Sequence, residues 1–502
     1  MLWLGILWLA LIYILPLHAG VALGGSHAPG TVDSLQLFPL RIKLKGGELA
    51  EAERGMMPVP MKRSEPQSAI IEVEVYRFRT TGHIEARRPP IFILHGGPSF
   101  QGLERPLKRP GYYEKHIQPY TDIADVVVVS QRGIGSSNPN TKCRGPETLP
   151  INAGYPAKVQ AVREASKRCK AHWEGEGYDL SGFTVIEAAG DVNDVRKALG
   201  YDRIMMVGHS FGSHWGMAVL RYHPAIVARA VLAGLEGPDH TYDMPSEVFN
   251  ALKRMAAAAE TASDLNGYIP AGGLIQAFET VIGRAEKAPV VADGVRFDAA
   301  AVRDLALGYT RRVYSRQDVS TWPTDILALY AGDFSKAARI RQHRHRRRSS
   351  HFPTASFFML DCGSGISASR QAQLRSDPAV AVVGPIGWFY QATCPIWGSD
   401  LGEAFRQNFE TIVPTVLVHG TWDVSTPYEN VLELAPFFTN AKLITVHGGS
   451  HDAYREALEA SDGFRQALTA FLKTGSMSDL PDEIRLPPIE WVIPKDKPQA
   501  TP

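Results

Sequence analysis

Met205-Met-Val-Gly-His-Ser-Phe-Gly-Ser-His-Trp215 decides how the rest of the chain reads. Apolar residues run up to Gly208, a serine stands at 210 between Gly208 and Gly212, and helix-compatible sequence continues to Tyr222. Strand, tight turn and helix, in that order, is the setting in which Gly-x-Ser-x-Gly forms a nucleophile elbow. The turn strains the serine backbone and lifts its hydroxyl out at the C-terminal end of the strand. Glycines on either side let strand and helix approach where a Cβ would clash. The pentapeptide alone arises by chance in roughly one glycine-rich sequence in several. Its weight comes from its flanks and from partners elsewhere in the chain.

Outward from the elbow, short continuous apolar runs recur: Pro90–His95, Val126–Val129, Ile204–Val207, Ala230–Ala233, Thr415–Val418 and Leu443–Val446. Helical patterns separate them, as in Val185–Leu199, where Val185, Ala188, Ala189, Val192, Val195 and Leu199 share one face. Such runs between helices predict an α/β protein with a doubly wound, mostly parallel sheet covered on both faces. Ile71–Arg79 alternates apolar with charged residues and predicts a half-solvated edge strand. The stretch between Ala233 and Thr415 is far too long for a connection and predicts an inserted domain. Helical patterns fall within it around Glu247–Ala262 and Ala300–Leu307. The expected division is a core over 30–239 and 405–475, an insertion over 240–404, and a proline-rich tail over 476–502, extended on the body or disordered. Arg339-Ile-Arg-Gln-His-Arg-His-Arg-Arg-Arg348 reads as a solvated surface loop, with an anion- or membrane-attracting patch as the alternative.

A net charge of +1 over 502 residues argues against a nucleic-acid partner. Residues 1–22 open on an unbroken apolar run, Met1–Leu17, followed by Ala19 and Ala22, and read as a secretory signal peptide. An uncleaved anchor is the alternative, since no lysine or arginine flanks Met1. Beyond that segment no stretch predicts a membrane span, so the body is expected to be exported, periplasmic or secreted, where disulfides persist. The four cysteines permit three pairings, of which Cys143 with Cys169 and Cys362 with Cys394 are the most local. No Cys-x-x-Cys spacing occurs and no His-x-x-x-His lies beside the cysteines, so no metal is expected.

Where a serine elbow ends a central strand, an acid and then a histidine follow on later strand ends. Thr415-Val-Leu-Val-His-Gly-Thr-Trp-Asp423 and Leu443-Ile-Thr-Val-His-Gly-Gly-Ser-His451 put a carboxylate and an imidazole there. The expected roles are Ser210 as nucleophile, His451 as its base and Asp423 as the group that fixes the imidazole tautomer. His447 and Asp452 are weaker candidates, one at a strand end and the other adjacent to the histidine. An oxyanion hole needs two backbone N–H donors. Phe211, after the nucleophile, is one; Gly97 in His95-Gly-Gly-Pro98 is the better second, with Gly96 also open, because Pro98 has no N–H.

These motifs, with Gln131-Arg-Gly-Ile-Gly-Ser136 and Trp215-Gly216, resemble the proline iminopeptidase and tripeptidyl aminopeptidase family of α/β-hydrolases. The likeness covers about 90–235 and 405–475. It implies release of amino-terminal residues or short peptides through an acyl-enzyme, without metal or cofactor, under a largely helical cap. Two features depart from the family pattern: Ser130 stands where an aspartate is usual, and the elbow lacks the usual tryptophan. Glu236 and Asp239, at the start of the cap, are the carboxylates expected to hold a substrate ammonium; capping or hinge roles are the alternative. The expected partners are small peptides, or small esters and amides. A carboxylesterase with the same triad, or a binding protein with a dead site, are the competing readings. Oligomeric state is not legible.

Overall fold

The computed structural model describes residues 35–82, 88–98, 103–109, 111–308, 314–346 and 352–495. The apolar N-terminal segment, Arg347, Arg348 and residues 496–502 lie outside them. The chain forms strands β1 (Gln36–Lys43), β2 (Leu49–Pro60), β3 (Ile70–Phe78), β4 (Ile91–Leu94), β5 (Val126–Val129), β6 (Ile204–His209) and β7 (Val227–Ala233). A small hairpin follows, β8 (Val290–Ala292) and β9 (Val295–Phe297), and then β10 (Thr415–Gly420), β11 (Ala441–His447) and β12 (Glu483–Arg485). All but the hairpin join one ten-stranded sheet in the order β1-β2-β3-β5-β4-β6-β7-β10-β11-β12. It is antiparallel through β1, β2, β3 and β5 and parallel from β5 onward.

The apolar runs are continuous because both faces of the sheet are covered. Val127 and Val129 point into a cluster with Phe92, Phe183, Val192 and Trp215, under helices Val185–Ala198 and Phe211–Tyr222. Val126 and Val128 point the other way, onto Tyr113, Phe464 and Phe471 of helices Tyr112–His116 and Asp462–Thr474. That is the period-two alternation of a strand, with apolar partners on each side.

The chain leaves the sheet after β7 and returns as β10, which pairs with β7 from Thr415 against Ala230. The stretch between packs as two groups. Helices Pro245–Glu260, Gly273–Lys287 and Arg316–Tyr330 bury Val248, Phe278 and Trp322 in a cluster of their own. Helices Ala355–Ser364 and Trp388–Trp397 instead bury Phe358 and Trp397 against the sheet's cluster. Disulfides join Cys362 to Cys394 and Cys143 to Cys169.

Two expectations are corrected. β3 is not an edge strand: β2 and β1 lie outside it. Its alternation misleads because Glu74 is fully buried, accepting from Arg54 Nε at 2.7 Å and from the Tyr76 hydroxyl at 3.0 Å. Arg339–Arg346 is not a loop but the end of helix Ser335–Arg346, whose Ala337 and Ala338 are buried while Arg339, His343 and Arg346 face solvent. Cations suit that end, where helix carbonyls lack partners. The described part of the tail, 476–495, runs extended on the body and adds β12 to the sheet beside β11. Val492 N–H then donates to Ser320 O at 3.0 Å, and Trp491 packs on Trp422, holding the Arg316–Tyr330 helix.

One buried ion pair fixes the loop after β5. Arg132 is wholly buried and binds Asp191 with two bonds, Nε to Oδ2 at 2.8 Å and Nη2 to Oδ1 at 2.5 Å. Its remaining donors reach Met61 O at 2.7 Å and Gly182 O, so strand, loop and helix meet on one guanidinium. Removing one partner of such a pair leaves buried acceptors without donors. Arg132→Met is expected to cost about 3–5 kcal/mol, seen as a lower urea midpoint at unchanged slope. A shift equivalent to less than about 1 kcal/mol would show that the pair is not what holds this loop.

Candidate active site

Ser210 sits between β6 and helix Phe211–Tyr222 at φ 58°, ψ −133°, a backbone region rare for any residue with a Cβ. The close approach beneath it is strict. A Cβ on Gly212 would lie 2.0 Å from the Leu94 carbonyl oxygen, so only glycine lets the helix start this near β4. The Ser210 hydroxyl faces a cavity of about 530 Å³ that His451 also lines. Among the described residues it makes no hydrogen bond.

His451 and Asp423 arrive on the loops after β11 and β10. A Cβ on Gly420 would lie 2.3 Å from the Gly449 carbonyl oxygen, so a glycine is what allows these loops to touch. His451 Nδ1 lies 2.9 Å from Asp423 Oδ2 and 3.0 Å from Oδ1. Asp423 is wholly buried, and its Oδ1 also accepts from the N–H groups of Ser425 at 2.8 Å and Thr426 at 2.9 Å. Thr426 Oγ1 donates to Oδ2 at 2.8 Å. Burial pushes the Asp423 carboxyl up, but the charge and hydrogen bond of His451, the charge of His419 and the Thr426 N–H outweigh it. The carboxyl is held well below the usual carboxylate range. His451 mirrors this: burial pulls its pKa down, and Asp423 outweighs burial and raises it. With Nδ1–H committed to Asp423, Nε2 is the nitrogen left to accept a proton.

Two further histidines brace this pair, and sequence reasoning gave neither a role. His209 is pushed down to about 4 by burial and the nearby His451, so it is neutral, and its Nε2–H donates to the His451 carbonyl at 2.7 Å. His419 is lowered by burial; it accepts from Leu235 N–H at 3.2 Å and donates to Thr426 O at 2.7 Å, tying the acid loop to the end of β7. Their positions, beside Ser210 and four residues before Asp423, were the available signal. The weaker candidates are engaged elsewhere: His447 Nε2 pairs with Glu483 at 2.8 Å and Asp452 with Arg455 at 2.5 Å.

Gly97, at φ 122°, lines the same cavity as Ser210. Gln131 Nε2 donates to the carbonyls of His95 at 3.0 Å and Gly96 at 3.2 Å, turning them toward β5. Neither Gly97 N–H nor Phe211 N–H has a hydrogen-bond partner among the described residues, which leaves both available to a developing oxyanion.

On the cap side of Ser210 lies a second cavity, of about 290 Å³, lined by Gly97, Glu236, Asp243, Asp361 and Tyr390. Glu236 is thus brought to the serine. Asp239 is not: its Oδ1 accepts from Ser367 N–H at 2.6 Å, at the start of helix Ala368–Ser376. Asp361, which the sequence did not single out, is buried and accepts from the Tyr390 hydroxyl through Oδ2 at 2.7 Å. Its Oδ1 is buried and has no hydrogen-bond partner among the described residues. Burial pushes Asp361 up to about 8, with the Tyr390 bond opposing and the charge of Asp243 adding. Burial and the charges of Asp361 and Asp243 likewise raise Glu236 well above the usual range. Burial and mutual repulsion thus disfavour ionising these carboxyls together, and a cation among them would relieve both.

Comparison with known families gives the geometry its context. Residues 89–266 match the alpha/beta hydrolase fold model, and residues 386–483 match the TAP-like protein model. The chain has the α/β-hydrolase fold. Its C-terminal part carries the TAP-like match. It is similar to serine protease Hip1 of Mycobacterium tuberculosis, 26% identical over 212 residues that cover 40% of this chain and 38% of that protein. The match therefore spans well under half of Hip1. It is also similar to the tripeptidyl aminopeptidase of Streptomyces lividans, 26% identical over 453 residues, 79% of this chain and 77% of that protein. A proline iminopeptidase-related structure from Thermus thermophilus aligns at 17% identity and a TM-score of 0.36, over 84% of this chain and 99% of that one.

Proposed function

We propose that this α/β-hydrolase is an exported serine aminopeptidase that cleaves short peptides near their free amino end. Ser210 Oγ attacks the scissile carbonyl and passes its proton to His451 Nε2. Asp423 holds Nδ1–H and offsets the charge on the imidazolium. The carbonyl oxygen, now negative, rests on the N–H groups of Gly97 and Phe211. His451 then protonates the leaving amine, the C–N bond breaks, and the acyl group stays on Ser210. Water, deprotonated by His451, attacks the ester and frees the second product. Export is supported by the apolar segment at residues 1–17 and by the two disulfides. The division into a core over 30–239 and 405–475 and a cap over 240–404 belongs to the same reading. The tripeptidyl relative supports peptides over esters as substrates.

The observation that carries the peptidase half is the unpartnered Oδ1 of buried Asp361, in an acid-lined cavity that reaches Ser210. An ester of an uncharged acid has no use for it. An ammonium supplies three donors and the charge that lets Asp361 and Glu236 ionise. Bonds to charged groups contribute about 1.5–3 kcal/mol, so Asp361→Asn and Glu236→Gln should each raise KM for free-amine peptides about 10- to 100-fold. KM for amino-blocked counterparts should stay within about twofold, since blocking removes only uniform binding energy. Asp239→Asn should leave both values alone. Steady-state kinetics on the two substrate types decides it; parallel changes would favour the esterase reading.

A further inference from the structure

The bridge Cys362–Cys394 joins the two helices that bring Asp361 and Tyr390 to the acid-lined cavity, and Cys143–Cys169 joins no element that lines it. Helix Ala355–Ser364 carries Asp361 and Cys362 side by side; helix Trp388–Trp397 carries Tyr390 and, one turn on, Cys394. The two helices are therefore joined twice within one turn. One link is covalent, with the cysteine Cα atoms 5.0 Å apart, and the other is the 2.7 Å bond from the Tyr390 hydroxyl to Asp361. A third tie reaches the same helix from below. His214, on the helix after the nucleophile, is pushed down to about 4 by burial and is neutral. A carbonyl only accepts, so His214 Nδ1–H donates to Gly237 O at 3.0 Å, and Nε2 accepts from the Ser364 hydroxyl at 2.8 Å. Gly237 follows Glu236. The carboxylates of the cavity are thus held on one connected frame.

A carboxyl buried with one oxygen unpartnered is costly, and neighbouring elements relax apart to hydrate it unless something prevents them. Phe358 stacks on Trp397 at 4.6 Å and on Phe389 at 5.8 Å, and Phe357 on Tyr390 at 6.2 Å. Stacked rings can slide, whereas the bridge between Cys362 and Cys394 is a covalent tie of fixed length beside Asp361. We propose that the Cys362–Cys394 disulfide is a positioning device for ammonium recognition, keeping Asp361 and Tyr390 at the spacing that grips a substrate amine. This rests on the aminopeptidase reading above.

The second bridge supplies the control. Cys143–Cys169 ties a loop to helix Tyr155–Gly175, and none of its neighbours in sequence lines the cavity. The two bridges span 26 and 32 residues, so loop closure assigns them nearly equal shares of stability. C362S/C394S and C143S/C169S should lose similar melting temperature. Only C362S/C394S should raise KM for an alanine tripeptide p-nitroanilide with a free amine, by about tenfold, with kcat and the N-acetyl counterpart within about twofold. Equal changes on both substrates, no change, or the same split in C143S/C169S would overturn the proposal. Should C362S/C394S fail to fold, the native protein is reduced with dithiothreitol below its melting temperature and its thiols alkylated and mapped. The same ratio is then read from the species opened only at Cys362–Cys394, with the same criteria. Glu236→Gln run alongside separates the two ideas. No split there removes the amine site itself, whereas a split in Glu236→Gln without one in C362S/C394S removes the bridge's role alone.

Discussion

Ser210→Ala loses turnover by a factor of about 10⁵–10⁶ in kcat and all covalent labelling by a fluorophosphonate probe, at unchanged melting temperature. The chemistry is lost because no other nucleophile stands on the strained turn between Gly208 and Gly212. Stability is kept because the Ser210 hydroxyl makes no hydrogen bond among the described residues and alanine retains the Cβ that the backbone at φ 58° resents. Ser210→Gly separates strain from chemistry. It is equally inactive, but it relieves a conformation costing on the order of 1–3 kcal/mol. Glycine gives back about 0.5–1 kcal/mol in unfolded-chain entropy, so a net gain of about 1 kcal/mol is expected. A glycine variant no more stable than the alanine variant would mean that the turn stores no strain. Retained activity in either variant, measured on protein free of host hydrolases, would remove Ser210 from the mechanism.

Asp423→Asn is expected to lower kcat by about 10⁴-fold with the fold intact. The local hydrogen bonds give the reason. Oδ1 accepts from two backbone N–H groups, of Ser425 and Thr426, so an asparagine keeps its carbonyl oxygen there. Its NH₂ then falls at the Oδ2 position, facing His451 Nδ1. A donor in that place makes Nδ1 accept and puts the ring proton on Nε2, which can no longer take one from Ser210. The pH profile carries a second signature. Activity requires neutral His451, so kcat/KM falls as pH drops through its pKa, which Asp423 holds above the ordinary value. Without the carboxylate, burial is the larger influence and lowers that pKa. The acid limb of the residual activity should therefore move to lower pH. An unmoved limb, or activity within about tenfold of the parent, would show that another acid serves His451.

The six apolar runs all became strands of one sheet, and the elbow, the Asp423 loop and the His451 loop all came to its C-terminal edge. These were legible because each depends on short-range facts: a run buried on both faces must be apolar throughout, and a glycine is forced wherever backbones approach as at Gly212. β1 and β2 were not legible. Pro39, Pro58 and Pro60 and a high charge density hide an antiparallel extension whose pairing is tolerant of both. Nor did the sequence reveal that β3 is interior, since a buried Glu74 looks like a solvated one until Arg54 and Tyr76 are seen against it.

Sequence by itself determined the sheet, the serine elbow, the order of acid and histidine, and the short list of cysteine pairings, because patterns of burial and backbone geometry are written locally. Only the tertiary structure decided which carboxylates face Ser210. Glu236 reaches the cavity, Asp239 turns to cap a helix at Ser367, and Asp361 arrives from more than a hundred residues away on a helix cross-linked to Tyr390's. A charged side chain carries no sign of whether it will meet water, a backbone N–H or another carboxyl. That depends on how far apart two helices stand, a distance set by packing and by a bridge to Cys394, 32 residues from Cys362.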